Sequence, residues 1–293
     1  MTGLLLINKP AGISSFGVVA KVKRLSGEKK IGHTGTLDPM ASGVLPLLCG
    51  KATSLSSYLL SADKTYFATA KLGTVTDTLD ITGEVVKKVE AHIKPDELES
   101  AVLSFCGDYM QTPPIFSALK IDGVRLYKLA REGKEVEIKP RKVTIKSIKL
   151  VDYKEDIGEF SFLTTVSKGT YIRSLIRDIG EKLSAGAVMT GLKRTATAGF
   201  TIKQCVDLDS FTAENINEYI IPADKAVEHL RKLFVTEKQA VRFKNGGQLS
   251  LDRLKIDNPQ SSEVLRVFNP EGDFIGLGGI DSQKEMLVIK CVM

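Results

Sequence analysis

The spacing of apolar residues predicts a strand, a helix and an ordered loop at the start of the chain. Leu4–Ile7 is an uninterrupted apolar run, typical of a short buried strand. A helix should begin at Ser14 or Ser15, either of which can cap it, and should end at Gly27, because apolar residues recur between them at three-to-four spacing. Residues 31–43 contain three glycines and one proline without an apolar period, so we expect an ordered loop. Loops of this kind often carry active-site groups.

Two further strands and two helices follow from the same reasoning. Residues 44–48 and 65–72 are expected to be strands, and in the second one Tyr66 shares a face with three apolar residues, Ala68, Ala70 and Leu72. Pro95 should begin a helix, and residues 171–183 should form another. Arg173 and Arg177 then lie one turn apart near the start of that second helix.

The remaining segments suggest an insertion and a second, smaller domain. Residues 111–133 combine a proline-marked start with a basic hairpin-and-helix pattern, which indicates an insertion able to fold over a ligand. Residues 207–234 have a helical pattern, and the segment after them has short β runs separated by glycine turns, typical of a small β domain. We therefore predict domains at 1–232 and 233–293.

Composition narrows the class of protein. The chain is 43% hydrophobic and 26% charged, and no apolar stretch approaches the roughly 20 residues that a membrane-spanning helix needs. The N-terminal apolar run lacks a basic segment before it, so we interpret it as a strand and not as a signal peptide. Four dispersed cysteines favour reduced thiols and a cytoplasmic location without membrane association.

Positive charge is concentrated in two regions of the chain. Residues 1–64 hold eight basic and three acidic residues, and residues 107–142 hold eight and five. The formal net charge of the whole chain is +6. This distribution is compatible with a polyanionic partner, and it is equally compatible with solvated basic faces.

Asp38 lies between Leu37 and Pro39, so the glycine-rich loop holds it in a stiff frame. An aspartate there could be a nucleophile, a general base, a metal ligand or a turn-capping residue. Phosphatase chemistry would favour a second acid two residues later, where Met40 stands, and the three histidines are too dispersed for a metal motif. Serine-hydrolase and nucleotide-binding glycine motifs are missing. These observations leave a reaction without metal or cofactor, or no reaction at all.

Six motifs in this chain resemble those of the TruB-type bacterial tRNA pseudouridine-55 synthases, in the same order. The resemblance spans residues 1–200 and is strongest at Gly32–Pro46. The other matching segments are Asn8–Ser15, Lys64–Tyr66 with Leu72–Asp80, Gln111–Lys120, Tyr171–Leu175 and Leu192–Thr195.

The resemblance implies specific roles for ten residues. Asp38 is expected to be the catalytic aspartate, Tyr66 to stack on the target base and Arg173 to pair with Asp38. His33 is expected to enter the T-loop and support base flipping, and Leu192 to line the uracil pocket. The remaining expected substrate-binding residues are Asp80, Tyr171, Lys9, Lys64 and Lys120.

The resemblance also implies an α/β (α+β) pseudouridine synthase fold, with a mixed, mostly antiparallel sheet and flanking helices. Residues 107–142 would be an RNA-gripping thumb, and residues 233–293 a β-rich, PUA-like RNA-binding domain. The expected partner is the T-arm of tRNA. We expect a monomer without an obligate protein partner, cofactor or metal.

Several alternatives stay open at this point. Asp38 could add to the sugar or to the base, or take a proton from C2′, and in each case it must start ionised. Arg173 would favour the ionised form and could hold the carboxylate through a two-point hydrogen bond, with Arg177 as the next candidate cation. A non-catalytic RNA-binding protein and the archaeal and eukaryotic guide-RNA relative are the competing classes.

Overall fold

The structure is a computed structural model, and it describes residues 1–117, 119–121, 123–126, 129, 132 and 136–293. The side chains of residues 120, 121 and 125 lie outside this description. The strands, in chain order, are β1 (Gly3–Lys9), β2 (Ile31–His33), β3 (Ser42–Cys49), β4 (Lys64–Leu72), β5 (Thr74–Thr76), β6 (Val85–Lys88), β7 (Gly107–Gln111), β8 (Lys120–Ile121), β9 (Val124–Arg125), β10 (Arg141–Lys154), β11 (Glu159–Val166), β12 (Ala187–Thr197), β13 (Phe200–Thr201), β14 (Val206–Asp207), β15 (Lys232–Phe234), β16 (Leu249–Ser250), β17 (Val264–Phe268), β18 (Phe274–Asp281) and β19 (Met286–Val292). The α-helices are α1 (Ser15–Ser26), α2 (Ser56–Leu60), α3 (Pro95–Leu103), α4 (Ile172–Lys182) and α5 (Glu237–Lys244).

A ten-stranded mixed sheet forms the centre of the described molecule. Its main path runs β14-β1-β3-β12-β4-β11-β10-β7, with β2 paired to β3 and β13 paired to β12. The pairs β1–β14 and β3–β12 are parallel, and the other pairs in this sheet are antiparallel. The expected mixed, mostly antiparallel sheet with flanking helices is therefore confirmed.

Both faces of this sheet are covered, which explains the uninterrupted apolar run in β1. Leu5 and Ile7 join the core beneath α1, α3 and α4, whereas Leu4 and Leu6 join a second core on the opposite face. Leu277 of β18 also belongs to that second core. Apolar residues are needed on both sides of such a strand, so its sequence does not alternate.

Helix α1 follows its predicted signals closely. The Ser14 side chain accepts a hydrogen bond from the Gly17 N–H at the start, and Gly27 ends the helix with a left-handed φ of 69°. Three valines, Val18, Val19 and Val22, are buried, as their spacing predicted. The capped start fixes where the preceding loop, residues 10–14, meets the Asp38 loop.

The helical interpretation of residues 207–234 is wrong. This stretch consists of short 3-10 turns, Leu208–Ser210, Ile216–Tyr219 and Ala223–Val227, and then enters β15. Its apolar side chains are buried in two different cores, with Ile216 on one face of the large sheet and Val227 on the other. A single straight helix cannot reach both faces, so the chain turns between them.

The C-terminal part forms a second sheet of five strands in the order β15-β17-β18-β19-β16. It confirms the predicted β runs, but the chain also forms α5, which the pattern of short β runs did not predict. Thr236 caps α5 and makes a reciprocal capping box with Gln239. In the insertion, β8 and β9 form the expected hairpin, and the helix predicted after it falls largely on residues outside the described part.

Candidate active site

The loop that carries Asp38 is tied down by hydrogen bonds from two other segments. The Ser15 Oγ accepts from the Leu37 N–H at 2.8 Å and donates to the Leu37 carbonyl at 3.0 Å. The Gly12 N–H donates to the Pro39 carbonyl at 2.8 Å, and within the loop the Ala41 N–H donates to the Asp38 carbonyl at 3.0 Å. The predicted ordered loop is thus present, and its first residues form the short strand β2. Asp38 itself remains 35% exposed, so its carboxylate can meet a ligand.

Arg173 pairs with Asp38 in the described structure. Its Nε lies 3.0 Å from the Asp38 Oδ2, and its side chain is only 8% exposed. The expected two-point contact is not formed, because Nη2 donates to the Phe116 carbonyl and Nη1 to the Thr78 carbonyl, both at 3.0 Å. One guanidinium therefore joins the Asp38 loop, the loop after β5 and the first part of the insertion.

Arg177 is not a second cation for Asp38 in this arrangement. Its guanidinium pairs with Asp178 at 2.7 Å, approaches Glu181 at 3.6 Å and donates to the Thr112 carbonyl at 3.1 Å. Ser174 Oγ also donates to the Thr112 carbonyl, at 2.9 Å. Helix α4 thus holds the start of the insertion with residues that follow Arg173.

Asp80 is nearly buried, at 5% exposure, and its carboxylate serves its own loop. It accepts hydrogen bonds from the Thr78 hydroxyl and from the backbone and hydroxyl of Thr82. Its other oxygen lies 3.7 Å from Nη1 of Arg173. The geometry assigns Asp80 to the support of Arg173, and the expected substrate contact stays a prediction.

Tyr66, Leu192 and Tyr171 lie on elements that surround the Asp38 loop. Tyr66 is 8% exposed on β4 and faces the same core as Ala68 and Ala70, as the alternation predicted. Leu192 is half-buried on the neighbouring strand β12, opposite Ala68. Tyr171 caps α4, and its backbone N–H and carbonyl both bind the Gln111 side chain, at 2.8 and 3.1 Å. Burial raises the pKa of the Tyr171 hydroxyl.

Lys9 and Lys64 are buried, and their expected contact with substrate stays a prediction. The Lys9 ammonium is 0% exposed and donates to the carbonyls of Pro10, Ile13 and Pro39. Lys64, at 9% exposure, donates to the carbonyls of residues 60 and 62. Burial lowers the pKa of each lysine to about 8. Since the Lys9 donors are all engaged on backbone, these lysines brace loops in this arrangement.

His33 is half-buried at the end of β2, with its Nδ1 atom buried and without a hydrogen-bond partner among the described residues. Burial, and secondarily the charge of Arg194, lower the pKa of its imidazole. The ring is therefore neutral near pH 7, and its outer edge is the part that can meet a ligand. The side chain of Lys120 lies outside the described residues.

Sequence reasoning did not assign a role in the site to Arg194, Ser15 or Gln111, although all three lie in the matching motifs. Arg194 is 1% exposed and binds the carbonyls of Val44 and Gly35. Arg194 lies within a strand that has few charged residues, and this position could have indicated a buried arginine. A buried arginine needs hydrogen-bond partners, which suggests a structural role. For Ser15, the helix-cap interpretation masked its contact with the loop.

Metal-binding and membrane-spanning features are missing from the described part of the chain. No group of three or more His, Cys, Asp or Glu side chains there is arranged to hold a metal ion. No described helix is long and apolar enough to cross a membrane.

Comparisons with known proteins identify two matching family models. The first, TruB family pseudouridylate synthase (N terminal domain), matches residues 23–172. The second, tRNA pseudouridylate synthase B C-terminal domain, matches residues 173–232.

Curated relatives match almost the whole chain. A tRNA pseudouridine synthase B of Clostridium novyi is 45% identical over 278 residues, covering 95% of each chain. A tRNA pseudouridine synthase B of Clostridium acetobutylicum is 42% identical over 290 residues, covering 99% of each chain.

Two solved structures resemble the whole fold. A Cbf5-Nop10-Gar1 complex contains a chain 26% identical, with a TM-score of 0.75, covering 100% of this chain and 84% of that one. An H/ACA RNP bound to a substrate RNA containing 2'-deoxyuridine gives 25% identity and a TM-score of 0.74, covering 100% and 85%.

Proposed function

Because this chain belongs to the TruB family of pseudouridine synthases, we propose that it isomerises uridine 55 in the T-arm of tRNA, with Asp38 as the catalytic carboxylate. The enzyme is a tRNA pseudouridine synthase, an isomerase.

The chemistry requires one carboxylate and no added group. Uracil is joined to ribose through N1 in uridine and through C5 in pseudouridine, so the glycosidic bond must break, the base must turn, and a C–C bond must form. The C5 proton is lost to solvent, and N1 gains a proton. Asp38 can add to the sugar or base, or take a proton from C2′, and each route begins with an ionised carboxylate.

The observation that carries the proposal is the contact of Arg173 with Asp38. A carboxylate leaving water is disfavoured unless a cation and hydrogen bonds compensate it, and Arg173 provides both at 3.0 Å. Because Arg173 is itself held by two backbone carbonyls, it fixes the position of the carboxylate that it contacts.

The other site residues would handle the base. Extruding a stacked base costs a few kcal/mol, and stacking on Tyr66 can return about 1–3 kcal/mol. We propose that His33 fills the space that the base leaves, that Leu192 lines the uracil pocket, and that Tyr171 and Lys120 contact the nucleotide. Lys9, Lys64 and Asp80 would act through the loops that they brace.

Affinity would come mainly from phosphates, and selection of the uridine from loop shape. We propose that the thumb, residues 107–142, and the basic N-terminal region hold the T-arm. The proposed division into a catalytic domain, 1–232, and a PUA-like domain, 233–293, makes the second part an additional RNA contact. We further propose that a cytoplasmic monomer suffices for activity.

Tritium release tests this proposal directly. An unmodified tRNA labelled with tritium at C5 of its uridines should release the label of one uridine per molecule when treated with the purified chain. A transcript with cytidine at position 55 should release none, and an isolated T-arm hairpin should still react. Release from the cytidine-55 transcript would reassign the target, and no release from any transcript would favour a non-catalytic RNA-binding protein.

Related chains act within larger assemblies, as the titles of the Cbf5 complex and the H/ACA RNP state. The guide-RNA alternative predicts that the purified chain is inactive on free tRNA. Activity of the chain alone, at a mass near 31.9 kDa by light scattering, would support the stand-alone monomer.

A further inference from the structure

Arg194 is a buried cation that no described carboxylate neutralises. Its side chain is 1% exposed, and no described Asp or Glu lies within ion-pair distance. Instead, Nε donates to the Val44 carbonyl at 2.7 Å and Nη2 to the Gly35 carbonyl at 3.1 Å. Burying a charge is unfavourable unless hydrogen bonds or a counter-ion compensate it, and here backbone carbonyls supply the hydrogen bonds.

The two carbonyls that Arg194 binds lie on either side of Asp38 in the chain. Gly35 lies two residues after the end of β2, and Val44 lies in β3 just after the loop, so a single guanidinium binds the chain on both sides of Asp38. The backbone approach is also close: a Cβ on Gly43 would lie 2.2 Å from the Arg194 carbonyl oxygen, and Gly43 has φ +103°. The Asp38 loop therefore rests directly on β12.

Arg194 also connects this loop to the strand that carries Tyr66. In β12 it pairs with Tyr66 of β4 on one side and with Gly43 of β3 on the other. Leu192, two residues earlier, lies opposite Ala68. Arg194 is thus the point where the segment carrying Asp38 and the strands carrying Tyr66 and Leu192 are held in one register.

The charge of Arg194 reaches the other buried groups under the loop. After burial itself, it contributes to lowering the pKa of Lys64 and of His33, and it acts in the same direction on Lys9. Asp38 is the carboxylate that acts on Lys9 in the opposite direction. The loop is therefore supported by cations whose donors bind backbone carbonyls, and its acidic group faces the open side.

We propose that Arg194 is a positioning residue for the isomerisation, because its guanidinium fixes both ends of the Asp38 loop against β12 and so sets the place of Asp38 relative to Tyr66. This inference rests on the proposed function, in which these two side chains act on the target uridine. A misplacement of about 1 Å can lower a rate by about 100-fold without loss of binding.

The test compares Arg194→Met and Arg194→Lys with Arg266→Met. Arg266 is a suitable control because it is 5% exposed and its Nε donates to the Leu230 carbonyl at 2.8 Å, but it lies in the C-terminal sheet. In single-turnover tritium release, Arg194→Met should lower the rate by about 100-fold, with the Kd for tRNA within about threefold. Arg194→Lys should react at least about tenfold faster than Arg194→Met. Arg266→Met should keep the rate within about threefold of wild type.

The His33 imidazole gives a readout that does not depend on turnover. Its pKa, followed by NMR titration, should rise in Arg194→Met and stay unchanged in Arg266→Met. A folded Arg194→Met with a wild-type rate would overturn the proposal, as would parallel losses of rate and melting temperature in both methionine variants. If Arg194→Met does not fold, Arg194→Lys carries the same test. An inactive wild-type protein would instead refute the proposed function, and the His33 titration would still report on the loop.

Discussion

The Nε atom of Arg173 lies 3.0 Å from the Oδ2 atom of Asp38, while the other two nitrogens of the same guanidinium hold the backbone at Thr78 and Phe116. The interaction is thus more than an ion pair. Phe116 belongs to the start of the insertion, so any movement of that segment when RNA binds would shift Arg173 and, through it, the Asp38 carboxylate. This connection makes Arg173 the residue whose replacement is most informative.

We predict that Arg173→Lys lowers turnover by at least about 100-fold, because an ammonium keeps the charge but cannot bind Asp38 and two carbonyls at once. Arg173→Met should be worse, since it also leaves Asp38 without its cation. Single-turnover tritium release measures the rates of both variants.

Arg177→Lys is the matched control, one turn further along α4. Its guanidinium pairs with Asp178 and not with Asp38, so turnover should stay within about threefold of wild type. Filter binding should give near-normal tRNA affinity for all three variants. If Arg173→Met lost affinity in proportion to rate, Arg173 would be a phosphate-binding residue.

We predict that Asp38→Asn abolishes turnover and leaves the Kd for tRNA within about tenfold, because affinity is spread over many phosphate contacts. Asparagine has nearly the same shape, so the loop contacts of Leu37 and Pro39 should persist. Removing a catalytic group typically lowers the rate by more than about 100-fold. Turnover at even about one per cent of wild type would therefore show that Asp38 does not take part in the chemical step.

Sequence reasoning predicted the elements whose signals are local. Helix α1 has its cap, its apolar stripe and its terminal glycine within one short stretch, and the structure confirms each of them. For residues 207–234 the apolar pattern predicted a helix that does not form. Their apolar side chains are divided between the two faces of the large sheet. Periodicity alone does not reveal such a division. Helix α5 was missed even though Thr236 and Gln239 carry a capping signal.

For the site, the meeting of Asp38 with Arg173 came from family resemblance, because no local spacing brings a loop residue to a helix so far along the chain. The burial of Lys9 could not be expected from its residue type, since lysines are rarely fully buried. Its role depends on carbonyls at Pro10, Ile13 and Pro39, which turn toward one point only in the folded loop.

The thumb offers a test of how the enzyme holds RNA. We predict that replacing residues 119–137 with a short Gly-Ser linker weakens tRNA binding and lowers its dependence on salt. The log–log slope should fall by about 0.7–0.9 for each phosphate that the shortened protein no longer neutralises. This deletion keeps residues 111–117, which α4 holds through Thr112 and Phe116. Filter binding at several salt concentrations measures the slope, and an unchanged slope would place the thumb away from the RNA.

The buried lysines predict how stability depends on pH. Burial lowers the pKa of Lys9 and of Lys64 to about 8 from 10.5. Well below pH 8 both the folded and the unfolded chain bind these protons. Between pH 8 and 10.5 the folded chain has released them while the unfolded chain still binds them, so the free energy of unfolding should rise with pH. Each lysine should contribute on the order of 1 kcal/mol between pH 7 and 9.

Urea denaturation at pH 7 and pH 9, followed by circular dichroism, can isolate this contribution for Lys9. From pH 7 to pH 9, the free energy of unfolding should rise by about 1 kcal/mol more in wild type than in Lys9→Met. Lys149→Met removes an exposed lysine, so its free energy of unfolding should change with pH as that of wild type does. The scan should stop at pH 9, because burial raises the pKa of Cys49 to about 12 from 9.0. Above pH 9 the unfolded thiol ionises while the folded one does not, so stability falls and opposes the lysine effect. Equal pH dependence in wild type and Lys9→Met would mean that Lys9 keeps its proton, and that its ammonium is better compensated than its carbonyl contacts indicate.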